Sequence, residues 1–479
     1  MNKVSLLVSS TEQVQWFSPA VKYKKTEQWC IMEEMMSDYD NWDWEAGIKQ
    51  VADISAWQEK FQYIEELRVS GDGERVAAIV KNDDMEFTVC IQSEGEEPET
   101  WETGYDKAWN LQFGPDDRLS ALVSDTGEWT VCTDGETWEN GYDFLWNMRF
   151  NPNGVIAVSG QKELLYSVIN NDVPWENEFS RLTGMVISPD SEKTAAVVES
   201  VPVLESEIFK FRTGCYSVAI NGEAWDRNFM NVWDPTFSQD SKHVAASVRT
   251  SYYDYYIAVD GRTWDTPFSS VWEPRFAPLA ASNAETKPSS DADNFTNSHN
   301  YSVTAPVKKG GKWFLAKDGV IFWDRPYFQL WHHLYSPDGS KIAAIVSPEF
   351  GRWTVACDNT PWSLTFSDYV SDPIFSPDGN RIACIFKENG RWGAAVDGKA
   401  WDCMFDMVWQ PVFSNNGSHL AFKVKIGGSY HIAVDGIVLD AKYDDMANPM
   451  FSPDSSSMLI RGRQGDIYNR EVISLKGRI

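Results

Sequence analysis

Ten times in this chain a bulky apolar residue leads into a Ser-Pro-Asp-Gly type of turn, at a spacing of roughly 40 residues. The least altered copies are Phe375-Ser376-Pro377-Asp378-Gly379 and Tyr335-Ser336-Pro337-Asp338-Gly339, and weaker ones begin at Val69, Phe113, Phe150, Ile187, Phe237, Phe276, Phe413 and Phe451. A period of that length, carried by short β-rich segments, specifies an array in which each unit buries its apolar surface against its neighbours. The fold class expected is therefore all-β: a β-propeller of about ten four-stranded blades in one closed ring, with two smaller propellers as the alternative.

Written out from Trp362, one unit has a hydrophobic turn region at Phe366, strand a over 373–377 and the Ser-Pro-Asp-Gly turn. Strand b over 381–386, a tight Glu388-Asn389-Gly390 turn and strand c over 391–397 follow. Proline presets φ for the second position of a turn, and glycine supplies the positive φ that closes a hairpin. Strand c alternates larger and smaller residues, as in Trp353-Thr354-Val355-Ala356, the period-two pattern of a strand with two different faces. Twelve residues before its anchor, tryptophan recurs as Trp57, Trp101, Trp138, Trp175, Trp225, Trp264, Trp323 and Trp401, with Trp362 displaced by one. An aromatic recurs at minus eight, and Trp109, Trp146, Trp233, Trp272, Trp331 and Trp409 stand at minus four. A ring repeated at one structural position reads as a wedge between sheets, each burying on the order of 200 Å².

The two ends of the array complement each other. The first module has Trp57 and Phe61 with no strand c before them, whereas the last has a strand c over 468–475 and no tryptophan after it. Pairing of N- and C-terminal segments would leave no free sheet edge. Residues 1–50 do not repeat, although 27–36 has the composition of a short helix; 51–479 form the expected propeller. Three stretches break the period. A polar insertion occupies 280–300, an apolar one lies near 201–211, and 83–106 is rich in acid. Apolar residues in a hairpin loop point to a partner or to packing on the loop's own blade.

Charge narrows the function. With 70 acidic against 42 basic residues the net charge is −28, which repels nucleic acid and anionic lipid. No run of about 18 apolar residues is present, so no direct membrane insertion is expected. The stretch Val4 to Val8 is too short and its flanks too polar for a secretory signal, and the expectation is a cytoplasmic protein. The seven cysteines form no CxxC pair; Cys90, Cys132 and Cys357 align with Ala219, Ala258 and Ala433, and Cys384 with Ala344, as small strand residues. No GxSxG, GxGxxG, P-loop or calcium-loop pattern occurs. His243 and His419 read as exposed turn residues, and His332-His333 as neighbours on opposite faces of a strand that cannot easily share a metal. No catalytic residue, cofactor or metal is expected.

The repeat itself, FSPDG followed by an IAAIV-like and then a WTVAVDGxxW-like strand, resembles the WD40-like repeats of the TolB type. Taken with the tryptophan at minus twelve, with Asn41-Trp42-Asp43-Trp44-Glu45 and with Val51-Ala52-Asp53-Ile54-Ser55-Ala56-Trp57, the chain over 41–479 is similar to the TmcD family. These are the tryptophan-rich subunits of Tmc transmembrane redox complexes in sulfate-reducing bacteria. The resemblance implies partners: a periplasmic multihaem cytochrome c, a cytochrome b-type membrane subunit and a cytoplasmic iron–sulfur protein. It brings no catalytic residues with it, and Phe276-Ala277-Pro278 departs from the family turn. The expected function is a non-catalytic scaffold on the cytoplasmic side of such a complex, attached peripherally to the inner membrane through its partners. The rival is a ligand-binding or enzymatic propeller acting on a glycan or peptide. Candidate partner contacts are Trp42, Trp44, Leu204, Ile208, Phe209, Phe211, His332 and His333.

Overall fold

The computed structural model describes residues 39–204, 206–278 and 301–476. The expected helix over 27–36 and the insertion 280–300 lie outside them. Among the described residues the strands form ten antiparallel sheets, each with strands a to d in that order, and the sheets follow one another as blades 1 to 10 of a single β-propeller. Blade 8 serves as the type: strand a Tyr369–Phe375, b Ile382–Glu388, c Arg391–Val396 and d Lys399–Ala400. In blades 6, 9 and 10 strand a is broken into two short pieces that both pair with strand b. In blades 2 to 10 strand a packs on the preceding blade, and between blades 1 and 2 it does so strand a against strand a, Ile64–Val69 on Lys107–Phe113, which sets strand a nearest the ring axis.

Turn chemistry explains the repeat. In blade 7 the Ser336 hydroxyl donates to Asp338 Oδ1 (2.6 Å) and accepts the Lys341 N–H (2.9 Å), while Asp338 Oδ1 also accepts the Ser340 N–H (3.1 Å). The Gly339 N–H returns to the Ser336 carbonyl at 2.8 Å, with Gly339 at φ 70°. Lys341 Nζ then reaches the Gly379 carbonyl of blade 8 at 2.9 Å, so the turn also staples one blade to the next. At the c–d turn Asp358 Oδ1 accepts the Ile342 N–H at the start of strand b (2.9 Å), and Asp134, Asp260, Asp397 and Asp435 repeat that bond in their own blades.

Three local readings need correction. Strand a of blade 8 starts at Tyr369 and ends at Phe375, not over 373–377. A bulge between Ser371 and Ile374, with Asp372 at φ 49°, lets the strand accommodate Pro373. Phe366 is not in a turn region opening blade 8: it exchanges two 2.8 Å backbone bonds with Trp353 and so bridges to strand c of blade 7, just beyond strand d at Thr360–Pro361. The open edge of strand c demands those bonds. Finally, Ala356 rather than Cys357 takes the buried place, opposite Ala344; Cys357 faces Ala343 and is half-buried. Cys90, Cys132 and Cys384 are buried free thiols in strands.

The tryptophans at minus twelve are inter-blade wedges. Trp362 ends blade 7 beneath the c–d turn of blade 8, where a Cβ on Gly398 would sit 3.2 Å from its ring. Glycine is needed there twice, for contact and for its φ of 75°. Trp57 differs, standing on a helix over Ile54–Lys60 that Asp53 caps by accepting the Ser55 N–H. The strand Gly47–Asp53 just before it pairs antiparallel with Ile467–Ser474, as strand d of blade 10. The Arg461 guanidinium crosses from blade 10 to the Ser70 and Gly71 carbonyls of blade 1, at 3.2 and 2.8 Å.

Two measurements follow from this packing. Trp264→Ala, at a ring only 1% exposed, should cost about 3–5 kcal/mol and lower the thermal midpoint, whereas Trp233→Ala, at a ring 39% exposed and stacked on Tyr255, should cost much less. Hydrogen bonds from the serines and backbone of their turns depress Asp338, Asp378 and Asp454 to about 2 from 3.8. Between those values the unfolded chain binds more protons than the folded one, so stability should fall as pH drops through that window. Asp338→Asn combined with Asp378→Asn should flatten that fall in an acid titration followed by circular dichroism.

Candidate interaction site

Three places depart from the repeat. The first is the b–c hairpin of blade 4. Where the sequence suggested a hairpin loop, a short helix forms over Ile208–Thr213, and Leu204, Ile208 and Phe209 are exposed, Phe209 to 78%. Phe211, on the same helix, is half-buried. Fixed by its strands at both ends, the loop projects from the ring, with the Arg212 guanidinium 5.1 Å from the Tyr252 ring of blade 5.

Trp42 and Trp44 sit elsewhere. Both are half-buried against Met450, Leu459 and Val472 of blade 10, stacked at 6.1 Å on one another and edge-on to Tyr39 at 5.3 and 5.6 Å. The Tyr39 hydroxyl donates to the Phe451 carbonyl, Arg470 to the Asp43 carbonyl, and Asp43 pairs with Lys49 at 3.0 Å. The described part of the N-terminal segment thus packs on the ring's own last blade.

His332 and His333 mark the junction of blades 6 and 7. His332 occupies the bulge of strand a at φ 50°, and its N–H donates to Glu273 Oε1 of blade 6 at 3.2 Å. His333 is fully buried; its Nε2 lies 2.9 Å from Thr304 Oγ1, to which the Tyr335 hydroxyl also donates at 3.1 Å. Burial first, then the charges of Arg275 and His332, hold His333 well below the ordinary imidazole range, so it is neutral. No group of three or more His, Cys, Asp or Glu that could hold a metal occurs among the described residues. His243 and His419 are partly buried rather than exposed, each tied through Nδ1 to the c–d turn aspartate of its blade, Asp260 at 2.6 Å and Asp435 at 2.7 Å.

The bulge that holds His332 recurs, and sequence reading missed it. Glu66, Asn110, Asn147, Asp234 and Asp372 stand at the same place, three residues before their anchors, with φ between 49° and 58°. Gly184 is there at φ 63°, and Glu273, Gln410 and Asn448 hold the position in the broken strands. This left-handed region favours Asn, Asp and Gly, which accounts for the composition. Glu66 shows one role: its carboxylate accepts the Asn110 and Leu111 N–H groups of blade 2, at 2.9 and 2.7 Å. The result is a half-exposed polar girdle on the innermost strands. The legible signal was a column of ten copies with no apolar side chain in it.

No protein-family model matches the chain, and no curated protein matches it in sequence. Among solved structures it is similar to a eukaryotic initiation factor, at 10% identity over 72% of this chain and 91% of that one, with a TM-score of 0.41. The Dos1 propeller matches at 9% identity over 85% of this chain and 91% of its own, TM-score 0.34. The tricorn protease matches at 13% identity over 74% of this chain but only 35% of its own, TM-score 0.33. None of these likenesses speaks to chemistry.

A neutral buried histidine makes stability pH-dependent. Below the unfolded value near 6.5 the unfolded chain takes up a proton that the folded state refuses, so stability should decline by up to about 1.4 kcal/mol per pH unit. Urea melts of the protein and of His333→Met at pH 7 and pH 5.5 should show this slope in the first and a shallower one in the second.

Proposed function

We propose that the chain is a non-catalytic interaction scaffold, serving on the cytoplasmic side of a membrane-bound electron-transfer complex. There it holds an iron–sulfur protein beside a cytochrome b-type membrane subunit, in a chain of carriers that begins at a periplasmic cytochrome c. The observation that carries the scaffold part is the blade 4 loop, which presents Leu204, Ile208 and Phe209 to solvent just after Thr194–Glu199, a strand buried along its whole length. The redox setting rests on the resemblance of the tryptophan pattern and of 41–57 to TmcD. No helix among the described residues is long and apolar enough to cross a membrane, so contact with a membrane complex runs through partner subunits in this reading.

A second reading is favoured by the polar girdle: Asn110, Asn147, Asp234 and Asp372 around one axis are the side chains that a glycan- or peptide-binding propeller would use. The two part company in experiment. Under the scaffold reading, the chain co-purifies from detergent-solubilised membranes with subunits that contain haem and iron–sulfur clusters, and Phe209→Asp reduces the yield of that complex at least several-fold. Recovery of the native chain alone from the soluble fraction would discard it. Glycan or peptide binding abolished by Asn110→Ala with Asn147→Ala, and untouched by Phe209→Asp, would install the second.

A further inference from the structure

Strands of a blade alternate in direction, so all b–c hairpins and all d-to-a connections emerge on one face of the ring. In blades 2, 3, 8, 9 and 10 an aspartate seven residues before the anchor knits the two together. Asp106 and Asp143 accept the Thr126 and Glu163 N–H groups at 3.0 and 2.7 Å, and Asp368, Asp406 and Asp444 do the same for Gly390, Gly427 and Gly465. Blades 4 to 7 have lost this acid: Ser180, Met230, Ser269 and Phe328 stand in its place.

Within that sector blade 6 reverses the charge of the molecule. Blade 6 puts Lys308, Lys309 and Lys312 on its hairpin, with Lys312 Nζ 3.0 Å from the centre of the Phe328 ring. Among the described residues no carboxylate forms an ion pair with Lys309 or Lys312. Blade 5 exposes Tyr252 and Tyr253, the latter to 82%, and blade 4 exposes Leu204, Ile208 and Phe209. Across the same face the pattern inverts. Blade 1 exposes Asp83, Asp84 and Glu86 at its hairpin, blade 2 exposes Asp125 and Glu128, and blade 3 exposes Leu164, Leu165 and Phe144.

We propose that this face is a two-fold interface between two copies of the chain. A two-fold axis lying in the face and passing between blades 3 and 4 reverses blade order, so blade 1 of one copy covers blade 6 of the other, 2 covers 5, and 3 covers 4. One register satisfies three matches at once. The acids of blade 1 meet the lysines of blade 6, the carboxylates of blade 2 meet the tyrosine hydroxyls of blade 5, and the leucines of blade 3 meet the apolar loop of blade 4 beside the axis. Each match occurs twice by symmetry, placing apolar contact at the centre and charge at the rim. An anionic bilayer satisfies only half of the face, because its charge repels blades 1 and 2. This inference gives the blade 4 loop of the scaffold reading a second copy of the chain as its occupant, and it does not depend on the redox setting, so sedimentation and membrane co-purification can fail separately.

The test is sedimentation velocity of the full chain from nanomolar to high-micromolar concentration. The wild type should pass from one copy to two. Asp83→Lys with Asp84→Lys, and separately Lys309→Glu with Lys312→Glu, should each weaken the dimer by roughly 10- to 100-fold, since both cross-contacts become like-charged. All four residues are on hairpin tips, and unchanged thermal melts would confirm folding. An equimolar mixture of the two variants should dimerise again, because every cross-contact then pairs opposite charges. A wild type that stays monomeric overturns the proposal, as does a mixture no tighter than the separate variants. Monomers that bind phosphatidylglycerol vesicles through the same lysines would overturn it too and reassign the face to lipid.

Discussion

Everything in this ring depends on sheets whose middle strands are apolar on both faces. Thr194–Glu199 is buried along its whole length, and Ile342–Glu349 and Arg75–Lys81 nearly so. Such a sheet has no stable existence in water by itself, since it needs a neighbour on each side. The demand passes from blade to blade until the last must meet the first. Closure by Gly47–Asp53 on the C-terminal sheet is therefore not an ornament of the fold, and Arg461 spends its guanidinium on two carbonyls of blade 1 at that seam.

The parts of this architecture legible in the sequence are those governed by short-range chemistry. Ser336, Asp338 and Gly339 do in the structure what their types suggest, because a turn is decided by three or four adjacent residues. The phase of the repeat was not legible. A period has no marked beginning, and strand d announces itself with only two laddered residues, such as Lys399–Ala400, so Trp362 and Phe366 read as the start of a unit they end. Cys357 slipped by one place for a related reason: counted back from Phe375 it takes the place of Ala219, whereas counted back from Trp362, itself displaced by one, that place falls to Ala356.

Site residues were legible as departures and less so as places. The apolar insertion near 201–211 announced an exposed surface, and its helix escaped notice because six residues carry little periodicity. His333 was visible as an oddity, but its burial against Thr304 is a contact with the preceding blade that no linear pattern encodes. The polar girdle was hidden by its own regularity. Glu66, Asn110, His332 and Asp372 look unrelated until their common left-handed backbone explains why each is polar. Trp42 and Trp44 lie in the non-repeating segment, where the only guide was composition, and it did not reveal which blade they would cover.

The seam also has a consequence in time. The strand that completes blade 10 is made before every other described strand of the ring, and its partner, Ile467–Ser474, after all of them. Throughout elongation the growing solenoid carries at its leading sheet an apolar face meant for a neighbour not yet synthesised, and at its other extremity a strand with nothing to pair with. A ring of this kind is an open spiral for most of its assembly, and the nascent ring is most adhesive just before its last strand is added. Loss of the final strand would leave Gly47–Asp53 without its partner and open the ring between its last blade and its first.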